Sequence, residues 1–289
     1  MSVALAMNVH DGIISAADSA STLSLGPSPA GRKGMLPPQI ANVYNNANKI
    51  ANLWKGKPIG CVAFGSGSIG SASISTLLKD FRQKLHNPES FGIGNCAFNI
   101  DDYTMESVAQ LLAEFLSREC QKLPDSDGQP TLGIFLAGYS TAAPLGERWA
   151  INIQNGQAQP AVRLHSPEQV GMNWGGEGGE AISRIVLGYS NGLPSLLGNA
   201  FPAMQLMPLL TQLQAPVVFA PMPIQDAIDL AEFLVHTAIQ YSRFIPGAQV
   251  VGGPIEIAAI TKHEGFKWIR RKHYYSAELN REDTYGNDT

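Results

Sequence analysis

Ser2-Val3-Ala4-Leu5-Ala6-Met7, then Asp11-Gly12, then Ile13-Ile14-Ser15-Ala16-Ala17-Asp18 open the chain. Two short apolar runs around an Asp-Gly turn signal read as a β-hairpin that starts at residue 2. A strand so close to the terminus has a chemical consequence. Removal of Met1, favoured when the next residue is small, leaves a serine carrying both a hydroxyl and a free α-amine. The amine has a reference pKa near ~7.7–8, so its neutral fraction accepts the hydroxyl proton directly or through a water. Ser2 is then a nucleophile with its own base. Read alone, the stretch is more simply the first residue of a surface strand.

Outward from the hairpin, 289 residues with 44% hydrophobic and 15% charged side chains suit one sizeable domain spanning residues 1–289. A net charge of −4 gives no general attraction to nucleic acid or anionic membrane, so neither is expected as a partner. Lys267 and Arg270-Arg271-Lys272-His273 form the main basic cluster, read as decorating the last strand and a tail from about residue 276. Cys61, Cys96 and Cys120 are odd in number and lack CxxC spacing, which speaks against a disulfide framework or a zinc site and for a reducing, cytoplasmic compartment. His10, His86, His165, His236, His263 and His273 show no HxxxH or HExxH spacing, so no metal or cofactor is expected. The N-terminus lacks a basic n-region and a long apolar run, which argues against a signal peptide. The greasy stretch 201–224 is interrupted by Pro202, Pro208, Pro216, Pro221 and Pro223 and makes a poor membrane span. It reads as a loop-and-helix insertion, part of 191–223, covering an apolar surface.

Residues 25–48 have no period and read as an inserted loop. Asn48–Trp54 and Ile59–Phe64 read as a second antiparallel pair. Apolar stripes at Ile74, Leu77, Leu78, Phe81 and Leu85, and at Met105, Val108, Leu111, Leu112, Phe115 and Leu116, predict two helices. Strands are expected at 132–138 and 149–153, with a short one at 169–172. Helices are expected from Glu180 and over 225–241, and a closing hairpin over 255–261 and 266–269. Strands, two helices, strands, two helices, strands predict an α+β fold, a four-layer αββα sandwich of two antiparallel sheets faced by helix pairs.

That order, with the strings Asp11-Gly12-Ile13-Ile14-Ser15-Ala16-Ala17-Asp18-Ser19, Asn48-Lys49-Ile50, Leu136-Ala137-Gly138-Tyr139 and Val251-Gly252-Gly253-Pro254-Ile255-Glu256-Ile257-Ala258, resembles the proteasome family of N-terminal nucleophile hydrolases: the proteasome β-subunit, HslV and Anbu. The resemblance implies a peptidase. Ser2 falls where the family carries its N-terminal threonine, and Asp18 and Lys49 fall on its active-site aspartate and lysine. Gly65 falls on the glycine whose amide forms the oxyanion hole, a role one inserted residue would move to Phe64. A lysine beside Ser2 would lower the pKa of hydroxyl and amine, and Asp18 would orient that lysine. The resemblance further implies peptide or unfolded-protein substrates, a homo-oligomeric ring or helical assembly, and room for an ATP-dependent unfoldase.

The sequence departs from the family at four places. Serine replaces threonine, and the segment between Asp18 and Lys49 is longer, which leaves Lys33 as an alternative lysine. Glu177, in Trp174-Gly175-Gly176-Glu177-Gly178-Gly179, stands at or near the place of a serine that supports the terminal amine. Gly247-Ala248-Gln249-Val250 lacks an aspartate. Glu177 either orients the α-amine or favours the N-terminus of the next helix. Two other readings compete: a catalytically inactive structural ring subunit, and a dinucleotide-binding oxidoreductase. The second draws on Gly65-Ser66-Gly67-Ser68-Ile69-Gly70, but it requires a parallel strand and an acidic residue about ~20 positions on. Only Glu89 lies near that distance.

Overall fold

Ala4–Val9 (β1) and Gly12–Ala17 (β2) form the opening hairpin in a computed structural model, which describes residues 2–25, 29–30, 34–35, 39–87, 98–124, 129–166, 168–198 and 200–272. Val9 pairs with Gly12, so the two-residue turn is His10-Asp11. A Cβ on Gly12 would meet Ile224 Cδ1 at 2.8 Å and the Ile260 carbonyl at 3.1 Å. Glycine is needed there for close approach.

Further elements follow in chain order. They are β3 (Ser21–Leu25), β4 (Gln39–Tyr44), β5 (Ile50–Asn52), β6 (Ile59–Gly65), α1 (Ile74–His86), α2 (Met105–Gln121), β7 (Leu132–Gly138) and β8 (Glu147–Gln154). After these come β9 (Gly171–Gly175), α3 (Gly179–Val186), α4 (Leu193–Leu197), α5 (Ala203–Thr211), α6 (Ile224–Phe244), β10 (Glu256–Thr261) and β11 (Gly265–Arg270). One sheet runs β9-β1-β2-β10-β11. The other runs β5-β6-β7-β8 and is extended at β8 by the two-residue strands Gln157–Ala158 and Val162–Arg163. Neighbours in both sheets are antiparallel. The protein is an α+β fold with two principal antiparallel sheets and, among the described residues, six helices.

Every residue of β1 and β2 is buried, which explains their unbroken apolar runs. Alternation there separates two kinds of apolar neighbour. Val3, Leu5, Met7, Ile14 and Ala16 cluster with residues of α3 and α6, whereas Ala4, Ala6 and Ala17 cluster with Ile50, Val62, Phe135 and Ala150 of the other sheet. Most of the large side chains meet helices, whereas Ala4, Ala6 and Ala17 meet the second sheet and let it come close. A third cluster joins α1 and α2 to the β5–β8 sheet through residues such as Leu77, Phe81, Leu112, Ile134 and Ile151. Each fully buried side chain of this size contributes about 1.5–3 kcal/mol. Ser73 caps α1 by accepting from the Thr76 N–H at 3.1 Å, and Thr104 with Ser107 forms a capping box on α2.

Several expectations need correction. Residues 25–48 are not simply loop, because β4 pairs with β3 as a ribbon. Leu23 and Tyr44 are 48% and 56% exposed, so solvent on the ribbon leaves no hydrophobic alternation to read. The short strand expected at 169–172 lies at Gly171–Gly175, since glycine pairs in a ladder while offering no side-chain pattern. The 191–223 insertion contains α4 and α5, and buries mainly Leu206 and Leu210 against Tyr189. Leu196, Met204 and Leu209 remain largely exposed. Cys96, Glu89, Lys33 and the tail from 276 lie outside the described residues. Among the described residues no parallel strand pair follows the Gly65–Gly70 string, and no helix is long and apolar enough to cross a membrane.

Candidate active site

Ser2 precedes β1 and is 1% exposed. Its hydroxyl oxygen accepts a hydrogen bond from the Gly65 N–H at 3.2 Å. Gly65 ends β6 with φ +95°, and a Cβ there would lie 2.7 Å from the Thr131 carbonyl oxygen and 2.9 Å from Leu132 Cα. Both the left-handed backbone and the adjacent strand therefore require glycine. Of the two candidates for an oxyanion donor, Gly65 carries the amide directed at Ser2.

Phe64 fills the space behind that amide. A Cβ at Gly133, its partner across the ladder, would fall 2.5 Å from Phe64 Cε2. A Cβ at Gly175, in the other sheet, would fall 2.6 Å from Phe64 Cε1. The ring thus occupies a slot cleared by one glycine from each sheet, with Phe135 at 4.9 Å between centroids.

Asp18 follows β2 and is fully buried. One carboxylate oxygen accepts from the Val3 N–H at 2.9 Å and from the Lys49 ammonium. The other accepts from the Ala20 N–H at 3.1 Å and the Gly252 N–H at 3.0 Å. Four donors thus converge on the carboxylate and fix its orientation. Lys49, immediately before β5, is 8% exposed. Burial lowers its pKa, outweighing the attraction of Asp18 and Glu256, and the Lys272 charge adds to the lowering.

The glycine turn after β9 wraps the start of the chain. The Gly178 N–H donates to the Ser2 carbonyl at 3.1 Å. Gly176 has φ +86°, and a Cβ there would collide with the Ser2 carbonyl oxygen and lie 2.7 Å from its carbon. Glu177, between them, points into solvent, with no side-chain hydrogen bond to any described residue. The structure therefore brings Ser2, Asp18, Lys49 and Gly65 together, and brings the loop of Glu177 to Ser2 but not its carboxylate.

Ser2, Lys49, Phe64 and Gly65 line an open cleft of about 1240 Å³, whose other walls include Ala20–Thr22, Asn46–Asn48 and Ser66–Ser68. Sequence reasoning missed Gly176, Gly252 and Lys272. A turn glycine in a run of glycines carries no single-sequence signal of what it approaches. Lys272, which the sequence groups with an exposed basic cluster, has a buried side chain beside Asp18's neighbour Ser19; its ammonium donates to Ser19 and Ala47 and pairs with Glu256. No protein-family model matches the chain, and no curated protein matches it.

Proposed function

We propose that the protein is a proteasome-like N-terminal nucleophile hydrolase that cleaves peptide bonds once Met1 has been removed. One observation carries the reading: the Gly65 N–H is aimed at Ser2 Oγ in a cleft also lined by Lys49, whose ammonium is paired with the buried Asp18 behind it. Three separate apolar clusters, helix to sheet, sheet to sheet and sheet to helix, support the four-layer αββα arrangement that accompanies it.

In this mechanism Ser2 Oγ attacks the peptide carbonyl carbon and gives its proton to the α-amine of the same residue. The carbonyl π pair moves to oxygen, where the Gly65 N–H stabilises it. Lys49 lowers the proton affinity of hydroxyl and amine, and Asp18 fixes Lys49. Collapse breaks the C–N bond, and the leaving amine takes the proton. The ester on Ser2 is then hydrolysed by water, which restores the hydroxyl. A homo-oligomer enclosing the site, an unfoldase partner and a cytoplasmic location belong to the same proposal, the last resting on cysteine usage.

A second reading, a non-catalytic subunit of an assembly, draws on Leu196 and Met204, exposed by 76% and 89%, which need a covering surface. Intact-mass spectrometry with an epoxyketone, which couples to an N-terminal hydroxy-amine, separates the two. The expected result is loss of Met1 and one adduct on Ser2, absent from Ser2→Ala. A protein with a free Ser2 amine that takes no adduct and cleaves no peptide would leave only the second reading.

A further inference from the structure

Lys272 lies just beyond β11, yet its side chain is only 8% exposed. Its ammonium donates to Ser19 Oγ at 2.8 Å and to the Ala47 carbonyl oxygen at 2.7 Å. It also sits 2.7 Å from Glu256 Oε2, off the carboxylate's hydrogen-bonding direction, and Glu256 is itself 2% exposed in its side chain. Two of the three ammonium protons thus have acceptors, and Glu256 supplies the compensating charge.

The partners come from three segments that meet at the candidate site. Ser19 adjoins Asp18; Ala47 precedes Lys49 by two residues; Glu256 opens β10, opposite Ala17. Backbone bonds tie the same segments together. The Ala47 N–H donates to the Ser19 carbonyl at 2.9 Å, and the Ser19 N–H to the Gly252 carbonyl at 2.9 Å. Ser19 Oγ donates in turn to the Pro254 carbonyl at 2.7 Å. A buried ion pair is commonly close to neutral for stability when compared with apolar side chains of the same shape. Its effect is then to be sought in geometry.

We infer that Lys272, paired with Glu256, is a positioning residue of the candidate active site, clamping the Ser19 and Ala47 segments so that Lys49 is held on Asp18 beside Ser2. The kinetic consequence rests on the proposed nucleophile; the clamp does not. The charges facing Lys49 are Asp18 after β2, Glu256 on β10 and Lys272 after β11. Lys272 disfavours a proton on Lys49, and Glu256 favours one. Losing Lys272 alone therefore shifts Lys49 titration to higher pH.

Two readouts test this on the full-length protein. The rate of epoxyketone adduct formation on Ser2 reports the site, and ¹³C NMR of lysine labelled at Cε reports the titration of Lys49, assigned with Lys49→Met. In Lys272→Met the adduct rate is expected to fall at least about tenfold, and Lys49 to titrate at higher pH, with secondary structure retained. Should Lys272→Met fail to fold, Lys272→Met/Glu256→Gln removes the orphaned carboxylate and is read in the same two ways. It is expected to lose labelling with little loss of melting temperature. A folded variant that labels at the wild-type rate would overturn the inference, whatever the Lys49 titration. If wild-type Ser2 takes no adduct, the proposed activity fails, and amide hydrogen exchange decides the clamp: faster exchange at Ser19 and Ala47 in Lys272→Met supports it, and unchanged exchange overturns it.

Discussion

Gly176→Ala should disable the candidate site by displacing the residue that would carry the chemistry. The new Cβ would collide with the Ser2 carbonyl oxygen and stand 2.7 Å from the carbonyl carbon. Carbon atoms rest at about 3.5 Å or more, so the Ser2 backbone must retreat by roughly 0.8 Å on that contact alone. A misplacement near 1 Å costs about 10²-fold in rate. The variant also carries left-handed backbone strain, about 1–2 kcal/mol for a residue with a Cβ. Gly56 separates the two effects, because it has the same φ of +86° and nothing within 4 Å of its would-be Cβ. Gly56→Ala should bear the strain without the collision. Stopped-time mass spectrometry of Ser2 adducts, alongside thermal melts, should give similar melting losses or a larger one in Gly176→Ala, and an adduct rate reduced about 10²-fold in Gly176→Ala only. A Gly176→Ala protein that labels within threefold of wild type would refute the placement of Ser2 against this turn.

Lys49→Met should leave Asp18 buried without its cation and destabilise the fold by about 3–5 kcal/mol, as read by urea titration; a difference below 1 kcal/mol would contradict the buried pair. The pH dependence has a definite sign. Lys49 has a pKa lowered from 10.5, so between the folded value and 10.5 the unfolded chain binds more protons and stability rises with pH. The stability gap between wild type and Lys49→Met should widen across that window, and a gap that narrows would show that Lys49 holds its proton more tightly when folded. Cys61 is fully buried with its thiol pushed up to about 12, and burial also raises Cys120. Peptide mapping after iodoacetamide at pH 8 should find both unmodified in the native protein and alkylated in urea, and native alkylation of Cys61 would count against β6 as an interior strand.

Where side chains had a helix or sheet to pack on, the sequence was readable. The stripes of α1 and α2 and the apolar runs of β1, β2 and β7 follow directly from burial. The candidate residues Ser2, Asp18, Lys49 and Gly65 were found through strings that resemble a known family. Spacing alone would not have joined a residue before β1 to the end of β6. The exposed β3–β4 ribbon left no alternation, and the β9 strand was hidden by glycine. Glu177 illustrates a different limit. Its place in the turn was located, but a carboxylate flanked by glycines can swing to either side of the chain, and here it faces water. Lys272 failed for the opposite reason, since a lysine in a basic cluster gives no sign that buried oxygens await it.

The Phe64 ring makes the spacing between the sheets a chemical variable. One sheet supplies the Gly65 N–H and the other, through the start of β1, supplies Ser2 Oγ. The ring lodged between Gly133 and Gly175 works like a gauge block, so donor and acceptor stand 3.2 Å apart at a setting given by its thickness. A change of ring size at residue 64 would retune that gap without touching either of the two atoms that define it.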